Sequence, residues 1–139
     1  MIFVVYADGA CRGNPGPMAI GASIQDDHGT ELGTVSALIG QGTNNIAEYR
    51  AAIEGLKAAR SLGATVIELR MDSQLVVEQL NGHYKVKNAV LKVLHTEVLE
   101  LLSALEWHAV AHIPREKNHR ADELANLAYN ADDLAGDSL

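Results

Sequence analysis

The hydrophobic pattern of this chain first changes period near position 42, and that change restricts the possible folds more than any other feature. Upstream, positions 2–7 are rich in β-branched and aromatic residues, and strand-like sequence resumes at 19–25 and 32–39. Asp8-Gly9, the stretch Gly13-Asn14-Pro15-Gly16-Pro17 and the run Asp26-Asp27-His28-Gly29 separate these segments. All three are turn sequences, so an antiparallel meander is expected, with its first strand ending at Asp8-Gly9. Downstream, Ile46, Tyr49, Ile53 and Leu56 recur at helical spacing toward Arg60, with Thr43, Asn44 or Asn45 as cap and Gly63 just past the end. Positions 65–71 return to strand character. Asp72 or Ser73 then caps a short helix through Leu80, which stops at Asn81-Gly82. Val90, Leu91, Leu94, Val98, Leu101 and Leu102 outline another helix, 106–113 a last strand, and Asn118 caps a helix to about Tyr129.

Helices between strands permit parallel additions to a sheet, which hairpins do not. The expected fold class is therefore α/β, a five-stranded mixed sheet with its first three strands antiparallel, flanked by helices. With 139 residues and 47% hydrophobic content, the chain fills one core. We place a single domain at 1–129 and a flexible acidic tail at 130–139. Apolar runs are broken long before the roughly 20 positions of a membrane span, so no membrane association is expected. One cysteine, Cys11, excludes an internal disulfide and a thiolate-rich metal site, which points to the cytoplasm.

A formal net charge of -7 opposes a nucleic-acid partner at long range. Locally the balance differs, because Lys85, Lys87, Lys92, Arg115, Lys117 and Arg120 supply six of the 11 basic residues. Divalent cations would also reverse the potential at a carboxylate cluster.

Four carboxylates fall at element ends: Asp8 after the first strand, Asp72 after the fourth, Glu48 early in the first helix and Asp122 early in the last. Each also has a local explanation. Asp8 suits a turn, Asp72 a helix cap, Glu48 the acid of a capping box begun by Asn45, and Asp122 the positive end of a helix dipole. Their combination says more. If the first and fourth strands are parallel neighbours, Asp8 and Asp72 emerge side by side, where such sheets bind ligands. Oxygen-only donors favour Mg²⁺ or Mn²⁺ over zinc, and two such ions suit phosphodiester hydrolysis. The glycine-proline stretch lacks the lysine and hydroxyl of a phosphate-binding loop. The run Gly42-Thr43-Asn44-Asn45 is open to two roles, a cap cluster or a set of neutral donors for sugar hydroxyls and minor-groove edges.

Four blocks carry a resemblance to a known family: YADGACRGNPGP at 6–17, GTNNIAEYRAAIEGL at 42–56, MDSQLVVEQLNG at 71–82 and REKNHRADELAN at 115–126. In this order they resemble the type 1 ribonuclease H family, whose fold is a five-stranded mixed sheet. The resemblance implies metal-dependent endonucleolytic cleavage of RNA paired to DNA, leaving 5′-phosphate and 3′-hydroxyl ends. It implies Asp8, Glu48, Asp72 and Asp122 as catalytic residues and metal ligands, two Mg²⁺ ions during catalysis, and Mn²⁺ as a substitute. It places Asn14, Asn44, Asn45 and Gln74 against the minor groove and the RNA 2′-hydroxyls, and Thr43 against a DNA phosphate. The compact passage IPREKNHRAD resembles a short-loop, archaeal-like branch, some of whose members also cut RNA duplexes. Many relatives carry a histidine in a longer loop here. Arg115, Lys117, His119 and Arg120 are the candidates for that task, together with His112, which is expected in the strand. Their alternative is a solvated role balancing Glu116 and Glu123. A monomer is expected, alone or fused to another domain in a longer chain. The competing readings are an inert hybrid-binding module and another metal-dependent nuclease on the same fold.

Overall fold

Along the strand Val66–Met71, Ile67, Leu69 and Met71 are buried while Val66, Glu68 and Arg70 stay partly exposed, the alternation of a strand with one covered face. The computed structural model describes the backbone of residues 1–137 and the side chains of residues 1–131. In chain order its elements are β1 (Phe3–Cys11), β2 (Gly16–Gln25), β3 (Glu31–Gly42), α1 (Asn44–Ser61), β4 (Val66–Met71), α2 (Gln74–Leu80), α3 (Ala89–Ser103), β5 (Trp107–His112), a short 3₁₀ turn at Arg115–Lys117, and α4 (His119–Asp137). The sheet order is β3-β2-β1-β4-β5. β2 pairs antiparallel with both β1 and β3, while β1–β4 and β4–β5 are parallel. The expected mixed sheet with three antiparallel leading strands is thus the observed one.

One sheet face carries the main core, with Phe3, Val5, Ile20, Ile24, Ile67 and Leu69 packed against Tyr49, Ile53, Leu56 and Val98. α1 lies directly on this face and α3 packs largely on α1. The other face is covered by α4 through Ala125, Ala128 and Tyr129 against Ala10 and Ala19. Gly21 permits that approach, because a Cβ there would run into the backbone of Ala121 and Ala125. No helix among the described residues is long and apolar enough to cross a membrane.

Three boundaries differ from expectation. β1 does not stop at Asp8-Gly9 but continues to Cys11, because β2 pairs with it along that whole length. Thr43 caps α1 by accepting the Ile46 amide at 3.3 Å. Glu48 therefore lies outside a capping box with Asn45. α4 continues to Asp137, beyond the expected end near Tyr129, so the backbone of 130–137 is helical. Residues 138 and 139 of the expected tail lie outside the described residues.

Arg120, in the first turn of α4, grips Glu31 at the start of β3 with Nε and Nη2, each at 2.8 Å, and also pairs with Glu123. These bonds hold the Glu31 carboxyl down at about 2, against an ordinary value of 4.5. A depressed folded pKa means stabilisation present above the ordinary value and lost as pH falls toward about 2. Glu31→Gln is accordingly expected to lower Tm at pH 7 and to match the parent protein near pH 2. An equal gap at both pH values, read by circular dichroism, would assign the effect to packing instead.

Candidate active site

The site begins with a mismatch in strand length. β1 and β4 pair only from Phe3↔Ile67 to Tyr6↔Arg70, and β1 then runs on alone along that edge. Asp8 sits on this overhang, and Asp72 follows the last residue of β4. Ser73, not Asp72, caps α2 by accepting the Val76 amide at 3.3 Å, which leaves the Asp72 carboxylate available. Glu48 enters from α1, where Gly9 lets strand and helix nearly touch. A Cβ on Gly9 would fall within the backbone of Ala47 and Glu48. That contact, and not a turn, is what the glycine after Asp8 serves. The Gly9 amide donates to Glu48 Oε1.

One carboxylate oxygen from each of Asp8, Glu48 and Asp72 lies within 4.8 Å of the other two. Asp8 and Glu48 are buried and Asp72 is half-buried. Burial pushes the Asp8 carboxyl well above the carboxylate range, and the charges of Glu48 and then Asp72 push the same way. Burial raises Glu48 too, opposed by the Gly9 amide. Three acids this close, on hard oxygen donors alone, are the arrangement that a divalent cation relieves. Asp122 completes the wall of the same cleft, whose volume is about 430 Å³, together with Cys11, Asn44 and Arg115. Its Oδ2 accepts a bond from Asn126 at 3.4 Å. All four acids singled out in the sequence therefore face one space, three of them in mutual ligand range.

The remaining candidates divide. Asn44 lines the cleft, and its amide donates to Asn14 Oδ1 at 3.1 Å, so two of the polar segments are tied together at the rim. Gln74 is exposed on the first turn of α2. Thr43 spends its hydroxyl on the helix cap. Asn45 is half-buried beside it. Among the basic flank, Arg115 borders the cleft, while Lys117 and His119 are exposed beyond it. His119 Nδ1 lies 3.3 Å from the Glu116 carbonyl. Arg120 is turned away and committed to Glu31 and Glu123. His112 ends β5 with Nε2 at 3.3 Å from the Asp72 carbonyl. The sequence predicts Asn118 as a helix cap. Its side chain instead points into the site, donating to the Ala7 carbonyl at 3.0 Å and to Asp72 Oδ2 at 3.2 Å.

A family model described as reverse transcriptase-like matches residues 6–128. A protein of Mycobacterium tuberculosis described as bifunctional is 46% identical over 132 residues, which are 94% of this chain and 36% of that protein. Ribonuclease HI of Halobacterium salinarum is 44% identical over 125 residues, covering 90% of this chain and 63% of the relative. The chain thus spans from about a third to under two thirds of these relatives' length. The crystal structure of the ribonuclease H1 from Halobacterium salinarum superposes with a TM-score of 0.92 at 41% identity, covering 94% of this chain and 99% of that one. LC11 ribonuclease H1, crystallised in complex with an RNA/DNA hybrid, gives a TM-score of 0.87 at 42% identity, covering 93% and 97% of the two chains. Strand order, the convergence of the acids and these likenesses agree, and the chain belongs to the type 1 ribonuclease H family.

Proposed function

We propose that this chain cleaves the RNA strand of RNA–DNA hybrids endonucleolytically, leaving 5′-phosphate and 3′-hydroxyl ends, with two Mg²⁺ ions that Mn²⁺ can replace. The observation that carries this reading is the mutual 4.8 Å proximity of Asp8, Glu48 and Asp72 at the open end of β1 and β4. These three carboxylates hold the cations, and Asp122 serves from the adjacent wall. Bound there, divalent cations activate water and offset the charge of the phosphodiester. Asn44 lines the cleft and Asn14 is bonded to its amide; with Asn45 and Gln74 they are the neutral amides we assign to 2′-hydroxyls and minor-groove edges, which they address without adding charge. Thr43, at the helix start, is the residue we assign to a DNA phosphate. The chain acts as a monomer in the cytoplasm, by itself or as one part of a longer protein, and accepts RNA duplexes as a lesser substrate.

The deciding assay compares labelled RNA–DNA, RNA–RNA, DNA–DNA and single-stranded RNA with Mg²⁺, Mn²⁺ or chelator. Hybrid cleavage that chelator stops, exceeding DNA duplex cleavage by about 100-fold or more, is the expected result, since DNA lacks the 2′-hydroxyls. Equal cutting of hybrid and DNA duplex would overturn the reading.

Within the basic flank, Arg115 is the residue we assign to charge on the scissile phosphate, because it alone of that group borders the cleft and its charge acts on Glu48. Arg115→Ala should lower kcat about tenfold or more while KM and Mg²⁺ dependence stay near those of the parent. Lys117→Ala, His119→Ala and Arg120→Ala should stay within a few-fold of it. Steady-state kinetics that rank His112→Ala below Arg115→Ala would move the task to the histidine.

A further inference from the structure

Asn118 is 1% exposed, and its amide contacts two of the segments that carry the acids. Its Nδ2 lies 3.0 Å from the carbonyl of Ala7, the residue before Asp8, and 3.2 Å from Asp72 Oδ2. Its own carbonyl accepts the amide of Asp122 at 3.2 Å, which begins the helical turn holding that acid. Both neighbours of Nδ2 are acceptors, so the amide must present its nitrogen to them; the reverse orientation would bring oxygen against oxygen. The consequence falls on Oδ1, which is buried and has no hydrogen-bond partner among the described residues. A buried acceptor left without a donor is costly, and an apolar side chain would avoid that cost. What an apolar side chain lacks is the NH₂ group that spans Ala7 and Asp72.

We propose that Asn118 is a positioning residue that fixes the orientation of the Asp72 carboxylate and its spacing from Asp8, so that the cluster is preset for divalent cations. The proposal rests on the hydrolase reading given above. Asp72 lies within 4.8 Å of both the Asp8 and the Glu48 carboxyls, and one donor shared between Asp72 and the β1 backbone holds that carboxylate against rotation. Outer partners of metal ligands commonly govern affinity in this way.

The test uses Asn118→Ala, which removes the amide, and Asn118→Asp, which keeps its shape but replaces the donor with a charge. Mn²⁺ binding is titrated by electron paramagnetic resonance on protein that circular dichroism shows to be folded, and kcat and KM on hybrid are measured in parallel. We expect Mn²⁺ affinity to fall about tenfold in Asn118→Ala, and further in Asn118→Asp, with kcat at fixed Mn²⁺ falling alongside and KM for hybrid little changed. Folded variants with parental Mn²⁺ affinity, whatever their thermal stability, would reduce Asn118 to a structural tie and overturn the proposal. If Asn118→Ala does not fold, Asn118→Asp alone decides. Failure of the parent protein to cut hybrid would remove the hydrolase reading without touching the Mn²⁺ result, so the two outcomes remain distinguishable.

Discussion

Replacing Asp8 by asparagine is expected to abolish hybrid cleavage and, in the same molecule, to make the metal-free protein more stable. The first effect follows from the lost ligand charge. Cations at such a site contribute several kcal/mol of transition-state charge stabilisation, so turnover should fall by about 1,000-fold or more, and Asp72→Asn should behave alike. The second follows from burial. The Asp8 carboxyl is held well above its ordinary value of 3.8 by desolvation, then by Glu48 and Asp72. A raised folded pKa means that stability is fully present below about 3.8 and is lost as pH rises through the raised value. Parent and variant should therefore unfold at similar temperatures near pH 4 in chelator. At pH 8 the variant should be ahead by about 5 °C, the shift for roughly 1 to 2 kcal/mol of relieved repulsion and desolvation. Saturating Mg²⁺ should restore the parent and not the variant. Near-parental turnover in folded Asp8→Asn would end the metal-ligand assignment. A variant less stable than the parent in chelator at pH 8 would end the electrostatic account.

Gly9→Ala should be among the most damaging single methyl additions to the chain. The added carbon would enter the backbone of Ala47 and Glu48, and backbone cannot swing aside as the end of a side chain can. α1 would have to lift from β1 at the point where Glu48 enters the site. Overpacking of this kind costs about 3 kcal/mol, and activity should fall even where the variant still folds, because the Gly9–Glu48 bond goes with the contact. Urea unfolding and cleavage rates measure the two separately. Gly29→Ala, at a turn where a Cβ meets nothing, should cost less and leave cleavage intact.

The same residue shows where sequence reasoning reaches its limit. The fold was legible because strands and helices write different hydrophobic periods, and the meander-then-crossover order leaves few arrangements of five strands. The four acids were legible because they recur at the ends of elements that such a sheet brings together. Asp8-Gly9 nonetheless reads as a turn, since local sequence contains nothing about a helix 38 residues later pressing on that glycine. Glu48 satisfies the spacing of a capping box, and only the choice of Thr43 as cap frees it. Asn118 has the right identity and place for a cap, and its actual acceptors, Ala7 and Asp72, are 111 and 46 residues away. Arg120 looked like one of a basic loop group until Glu31, 89 residues distant, claimed it. For Gly9, Asn118 and Arg120 a long-range contact displaced a local role that the residue was equally able to fill, whereas for Glu48 a neighbouring cap did so.

The overhang of β1 past β4 carries one more consequence. Ala7 and Gly9 are two residues apart, so their backbone groups face the same edge, the one that β4 abandons after Arg70. There the Ala7 carbonyl takes the Asn118 amide and the Gly9 amide takes Glu48, side chains occupying the positions that further rungs of backbone would have held. Extending β4 by even two residues would finish that ladder, satisfy both groups and fill the cleft with main chain. The room for substrate exists because one strand stops short of its neighbour.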